Sequence, residues 1–130
     1  AARVDPADGR PTRDALTTIY FLLARGDHSR WHRVSSDEVW HFYEGDPLEL
    51  YWVENGSVQR RLLGSGEDDT AYVATVPAGC WQAARPSGGF SLVGCTVGPG
   101  FDFADFEMVE GEPASGHPLD GIPELPAGLG

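Results

Sequence analysis

Positive charge is scarce in this chain. Nine basic residues stand against 20 acidic ones, for a formal net charge of −11 at pH 7. A surface that tracks phosphates needs clustered Lys and Arg, so nucleic acid and anionic membranes are not the expected partners. Long apolar runs are missing too. No stretch approaches the roughly 20 residues of a membrane-spanning helix. The polar, proline-containing start from Ala1 to Arg13 does not read as a signal peptide, and cytoplasm is the expected compartment. Cysteine is limited to Cys80 and Cys95, fifteen residues apart and without a CxxC spacing, which reads as two buried apolar thiols. There is no internal repeat of fixed period.

Glycine and proline are plentiful by contrast, 17 and 10 in 130 residues, and 41% of the chain is hydrophobic. That length is a common single-domain size, and that composition suits an all-β protein with frequent tight turns. The expected organisation is a flexible leader over 1–14, one barrel domain over 15–109 and a loose, acidic, Pro/Gly-rich tail over 110–130. Strands are expected from Leu16 to Leu23, Ser29 to Val34, Glu38 to Tyr43, Leu48 to Val53, Ser57 to Leu63, Thr70 to Val76, Cys80 to Ala84 and Phe90 to Val97. Asn55-Gly56 predicts a type I′ hairpin turn. Phe101 to Met108 alternates with period two and reads as a last strand or a short amphipathic segment. Many short strands with turns between them mean a sandwich or barrel, and the jelly roll is one such form.

The run Gly26-x5-His32-Arg33-Val34-x3-Glu38-x6-Gly45 follows the first cupin motif, G-x5-H-x-H-x3-E-x6-G, with Val34 at the second histidine. Pro77-Ala78-Gly79-Cys80-Trp81-Gln82 follows the second, P-x-G-x-x-H, with Gln82 at the histidine. Thr18 to Leu23, Ser29 to Leu50, Val76 to Ala83 and Gly98 to Glu107 resemble, in order, the blocks of the cupin-5 family, formerly domain of unknown function 985. The resemblance covers about residues 17–108 and implies an all-β cupin double-stranded β-helix (jelly-roll barrel) of the RmlC-like superfamily. It also makes Val34 and Gln82 family traits. The chain departs from the family at Asp8 to Arg13, where members normally carry a helix and a His-Pro-Glu-Gly-Gly segment. Family membership points to fold more sharply than to reaction.

Strand alternation places side chains at i, i+2 and i+4 on one face. With Glu38 inside, Trp40 and Phe42 are inside as well, while His41 and Tyr43 face out. His32, Glu38 and Gln82 then converge in the barrel. A carboxyl beside Trp40 and Phe42 is desolvated, which raises its pKa and suits proton transfer. Glu38 and His32 are therefore the candidate catalytic residues. Gln82, Tyr20, Trp40 and Phe42 are the candidate substrate-binding residues, Tyr20 as a hydroxyl donor. His32 and Glu38 could equally be a buried pair that satisfies itself. No cofactor is implied, unless His32, Glu38 and Gln82 hold a divalent metal, for which glutamine is a poor ligand. His41 reads as a packed outer-face residue; His28 and His117 read as solvated. Glu67-Asp68-Asp69 lacks the spacing of an EF-hand and reads as an exposed loop.

Three functions remain open at this level. One is an enzyme of epimerase, isomerase, cyclase or lyase type, moving a proton on a polar or cyclic metabolite. Another is a non-catalytic module that binds such a metabolite. The third is a metal-dependent oxygenase. The expected partners are a small molecule and a second copy of the chain, because open sheet edges and an aromatic outer face at Tyr43, Tyr51 and Trp81 call for cover.

Overall fold

The computed structural model describes residues 2–108. The expected tail over 110–130, His117 included, lies outside them. Among the described residues eleven strands run in chain order as β1 (Arg3–Val4), β2 (Arg13–Asp14), β3 (Thr17–Ala24), β4 (His32–Arg33), β5 (Asp37–Gly45), β6 (Leu48–Glu54), β7 (Ser57–Leu63), β8 (Val73–Val76), β9 (Gln82–Pro86), β10 (Phe90–Gly98) and β11 (Glu107–Met108). One sheet has the order β3-β10-β5-β8 and the other β11-β4-β9-β6-β7, with every pairing antiparallel. The fold is the all-β jelly roll that the motifs imply.

The strand pairs follow from local chemistry. Asn55 and Gly56 take φ of 51° and 76°, as a type I′ turn requires, and β6 and β7 pair across them from Glu54↔Ser57 to Leu48↔Leu63. The two glycines of the first motif, Gly26 and Gly45, both sit at positive φ, +87° and +99°. At Gly45 a Cβ would also lie 2.4 Å from the Phe90 carbonyl oxygen, so only glycine fits that turn.

Between the sheets lies a cluster that includes Leu23, Leu48, Leu50, Leu63, Val76 and Val93, with Phe21, Phe42 and Trp52 packed against it. A second cluster joins Trp31, Tyr51, Val53 and Ala83. Tyr51 and Val53 alternate with Leu48, Leu50 and Trp52 along β6, so this cluster covers the opposite face of the five-stranded sheet. The segment between β3 and β4 carries Trp31 over it. Tyr51 is therefore buried under Trp31, not open to a second copy as expected. Trp81 is partly buried against the same cluster, with the Arg33 guanidinium 4.6 Å above its ring.

Of three further expectations, that of a solvated His28 meets a different structure. Within the expected leader, Arg3–Val4 and Arg13–Asp14 pair as a small hairpin. Its Arg13 and Arg10 both donate to the Asp105 carboxylate, Arg10 at 2.9 Å, and Asp105 holds the segment after β10 in place. Between Phe101 and Met108, read as a last strand or a short amphipathic segment, the chain makes a 3₁₀ turn, Phe103–Asp105, capped by the Asp102 side chain accepting from the Ala104 N–H, and then the short strand β11. His28 is half-buried, with its ring nitrogens shielded from water.

Candidate functional site

One end of the barrel interior is open, with a cavity of about 620 Å³. Strand β3 supplies Thr17, Ile19 and Phe21 to its wall; β5 supplies Glu38 and Trp40; β10 supplies Cys95 and Val97. His32 of β4 and the adjacent Val34 face it from the other sheet. Phe101, Phe103 and Phe106, from the segment around the 3₁₀ turn, close the remaining side. That segment is tied down by hydrogen bonds from Gly100 N–H to the Asp14 carbonyl and from Phe101 N–H to Thr17 Oγ1, in addition to the Asp105 ion pairs.

Glu38 is 8% exposed and Gln82 1%. Gln82 occupies the middle of the five-stranded sheet, opposite His32 on one side and Trp52 on the other. Its Nε2 donates to Glu38 Oε1 at 2.8 Å, and its Oε1 accepts from Trp40 Nε1 at 2.9 Å. An indole N–H can only donate, so the atom facing it must be the amide oxygen, and the amide nitrogen must face Glu38. The Cys95 thiol hydrogen-bonds the same carboxyl. Burial raises the Glu38 pKa above the ordinary carboxylate range, and the bonds from Gln82 and Cys95 oppose it in part. Burial beside Glu38 also pushes the Cys95 thiol up, so it stays protonated.

His32 is shifted the other way. Its ring stacks on Phe106, with centroids 5.6 Å apart, and loss of water lowers its pKa. Nδ1 lies 2.7 Å from the Arg30 carbonyl oxygen, which can only accept, so Nδ1 carries the hydrogen. The neutral ring then keeps a free acceptor at Nε2. Among the described residues no hydrogen bond joins His32 to Glu38, so the expected pair does not satisfy itself.

The other expected site residues divide. Trp40 lines the cavity and also orients Gln82. Gln82 itself does not line it, because Glu38 stands in front. Phe42 packs into the filled part of the barrel. Tyr20 is 79% exposed on the outer face, with its ring 5.6 Å from that of Tyr43. The register that points Ile19, Phe21 and Leu23 inward turns Tyr20 out. His41 also lies on the outer face, stacked on Tyr43 and 3.3 Å from Thr96 Oγ1. Cys95 carries no motif, and the three phenylalanines after β10 fall in the Gly98 to Glu107 block, which does not single them out as site residues. The one signal for Cys95 is its parity with Val93 and Val97 on a central strand.

The donor set does not fit a tightly held metal. Val34 has no donor, the Gln82 oxygen is committed to Trp40, and among the described residues no three His, Cys, Asp or Glu side chains form a metal-binding group.

The family described as cupin superfamily (DUF985) matches residues 2–109. A hypothetical protein from Leishmania major is 35% identical and superposes with a TM-score of 0.77 over 84% of this chain and 72% of that one. A protein from Shewanella oneidensis is 38% identical, with a TM-score of 0.72 over 84% and 70%. A dTDP sugar isomerase from Desulfovibrio desulfuricans shares the fold at 11% identity, with a TM-score of 0.63 over 83% and 79%. No curated protein matches the chain.

Proposed function

The chain belongs to the cupin superfamily (DUF985), and from that premise we propose that it binds a small molecule in the barrel cavity and moves a proton on it, as an isomerase, epimerase, cyclase or lyase. The observation that carries this reading is the pair Glu38 and His32. Both face one cavity, and their surroundings displace their proton affinities in opposite directions. Two titratable groups pushed apart in this way are the usual sign of an acid and a base with separate roles. Glu38 holds a proton against the loss of water around it, and Gln82 occupies Oε1, which leaves Oε2 as the oxygen that exchanges a proton with ligand. His32 presents a bare Nε2 that accepts from a ligand hydroxyl or takes the proton removed. Trp40 and Gln82 position Glu38 without touching ligand proton chemistry themselves.

The test needs no prior substrate. A neutral small-molecule extract is incubated with the protein in D2O and read by mass spectrometry. At least one compound gains deuterium with wild type and not with Glu38→Gln, which keeps shape and removes the acid–base group. Identical labelling with both proteins, or none with either, overturns the proton-transfer reading in favour of a binding module.

We also infer a homodimer through the outer face of the four-stranded sheet, where Tyr20, Leu22, Tyr43 and Val73 are exposed. A monomer mass by light scattering at micromolar concentration would refute it.

A further inference from the structure

We propose that the ligand is a neutral ring compound with a mostly apolar body and a hydroxyl or carbonyl at its inner end, and not a phosphorylated or nucleotide-linked one. The inference rests on the cavity being the binding site and goes on to name what it takes. Aromatic rings form much of its wall. Phe101 meets Phe103 edge-on at 5.1 Å and Phe106 at 6.1 Å, Phe106 stacks on His32, and Phe21 and Trp40 lie deeper. Rings offer edges and faces that favour other rings in offset or edge-on contact. Phe103 is 83% exposed although it borders the cavity, so its ring stands at the mouth and is available to a ligand's body.

Polar groups are few, and none is cationic. Glu38, His32 and Cys95 are polar members of the wall, and Thr17 and Thr18 are the others. A phosphate needs Arg or Lys in reach. Among the described residues no Arg or Lys borders this cavity. Arg10 and Arg13 are committed to Asp105, in the segment that carries the phenylalanines, and Arg33 is committed to Glu107. A diphosphate would also meet the formal charge of −11. A cavity of about 620 Å³ lies in the usual range for small-molecule sites and holds a two- or three-ring body.

Isothermal titration calorimetry at pH 7 with two probes decides the matter: 2-naphthol, a neutral bicyclic alcohol, and thymidine diphosphate. The expected result is saturable 2-naphthol binding at one site, about tenfold weaker in Phe106→Ala. Phe103→Ala, a change at an exposed position, weakens it about two- to threefold, and Tyr20→Ala on the outer face leaves it unchanged. Thymidine diphosphate gives no saturable heat. The inference is overturned if thymidine diphosphate binds, if 2-naphthol does not, or if 2-naphthol binding ignores both phenylalanine variants. Calorimetry reads 2-naphthol binding without any turnover. The ligand class can thus stand even where the deuterium experiment removes the proton transfer, and the reverse.

Discussion

The two halves of the barrel interior are built on different principles. In the filled half, Leu48, Leu50, Leu63 and Val93 are fully buried and pack on one another between the sheets. In the empty half, the wall of phenylalanines has space behind it and is held from outside, by the ion pairs of Arg10 and Arg13 to Asp105 and by hydrogen bonds from Gly100 N–H to the Asp14 carbonyl and from Phe101 N–H to the Thr17 hydroxyl. Apolar burial supplies stability in the first half. In the second, electrostatics supply position, and an open cavity is the consequence. Glu38, Trp40, Gln82 and Cys95 lie on the boundary, where a polar group can be buried by one half and used from the other.

The comparison is broken most directly by Leu50→Ala. It leaves a void with no water to fill it and should cost about 2–5 kcal/mol, read as a lower urea midpoint with an unchanged slope. Asp105→Ala removes the partner of a buried arginine and a half-buried one, and should cost about 2–3 kcal/mol, less than the loss of a fully buried pair. The two should differ in kind: the loss from Asp105→Ala is restored by Asp105→Glu, which keeps the charge, whereas no polar replacement restores Leu50→Ala; an Asp105→Glu variant as unstable as Asp105→Ala would erase the distinction between the halves.

The boundary is tested next. Trp40→Phe leaves the Gln82 oxygen buried and unpaired, for about 1–3 kcal/mol. It should also shift the titration of Glu38 seen by carbon NMR, because Gln82 is then free to turn its amide. An unmoved titration would remove Trp40 from any positioning role. The smallest effect is expected from Glu38→Gln, and it depends on pH. The folded pKa of Glu38 is raised above its ordinary value of 4.5. Its contribution to stability is fully present below that value and is lost as pH rises through the folded pKa. Wild type therefore loses stability across that window and the variant does not, so the Tm advantage of Glu38→Gln grows with pH. His32 runs oppositely: its folded pKa lies below the ordinary 6.5, and its contribution fades as pH falls beneath that value.

Much of this was legible in the chain, for identifiable reasons. Strand β5 contrasts its two faces, so parity alone turns Glu38, Trp40 and Phe42 inward, and the motif spacing brings His32 to the same cavity. Strand β3 has no such contrast. Its outer residues Tyr20 and Leu22 are as apolar as Phe21 and Leu23, and period two then fails to say which set is inside. Parity also cannot say which of two inward residues stands in front, so Gln82 behind Glu38 had to be seen. The Arg13–Asp105 pair spans 92 residues and leaves no local trace. Neither does the Phe101–Phe106 wall, whose period-two pattern suits a strand equally well.

An amide and an indole do not pass protons along as acids and bases do, and the Cys95 thiol is held protonated by its surroundings. Glu38 is thus insulated on the barrel side by Gln82, Trp40 and Cys95 together, and its sole route of exchange is the cavity. A ring that fills the mouth shuts that route to solvent. Much of the hydrogen that Glu38 takes from such a ligand then goes back to the same molecule before it meets water, so deuterium from D2O still enters the ligand but more slowly than the rearrangement itself proceeds.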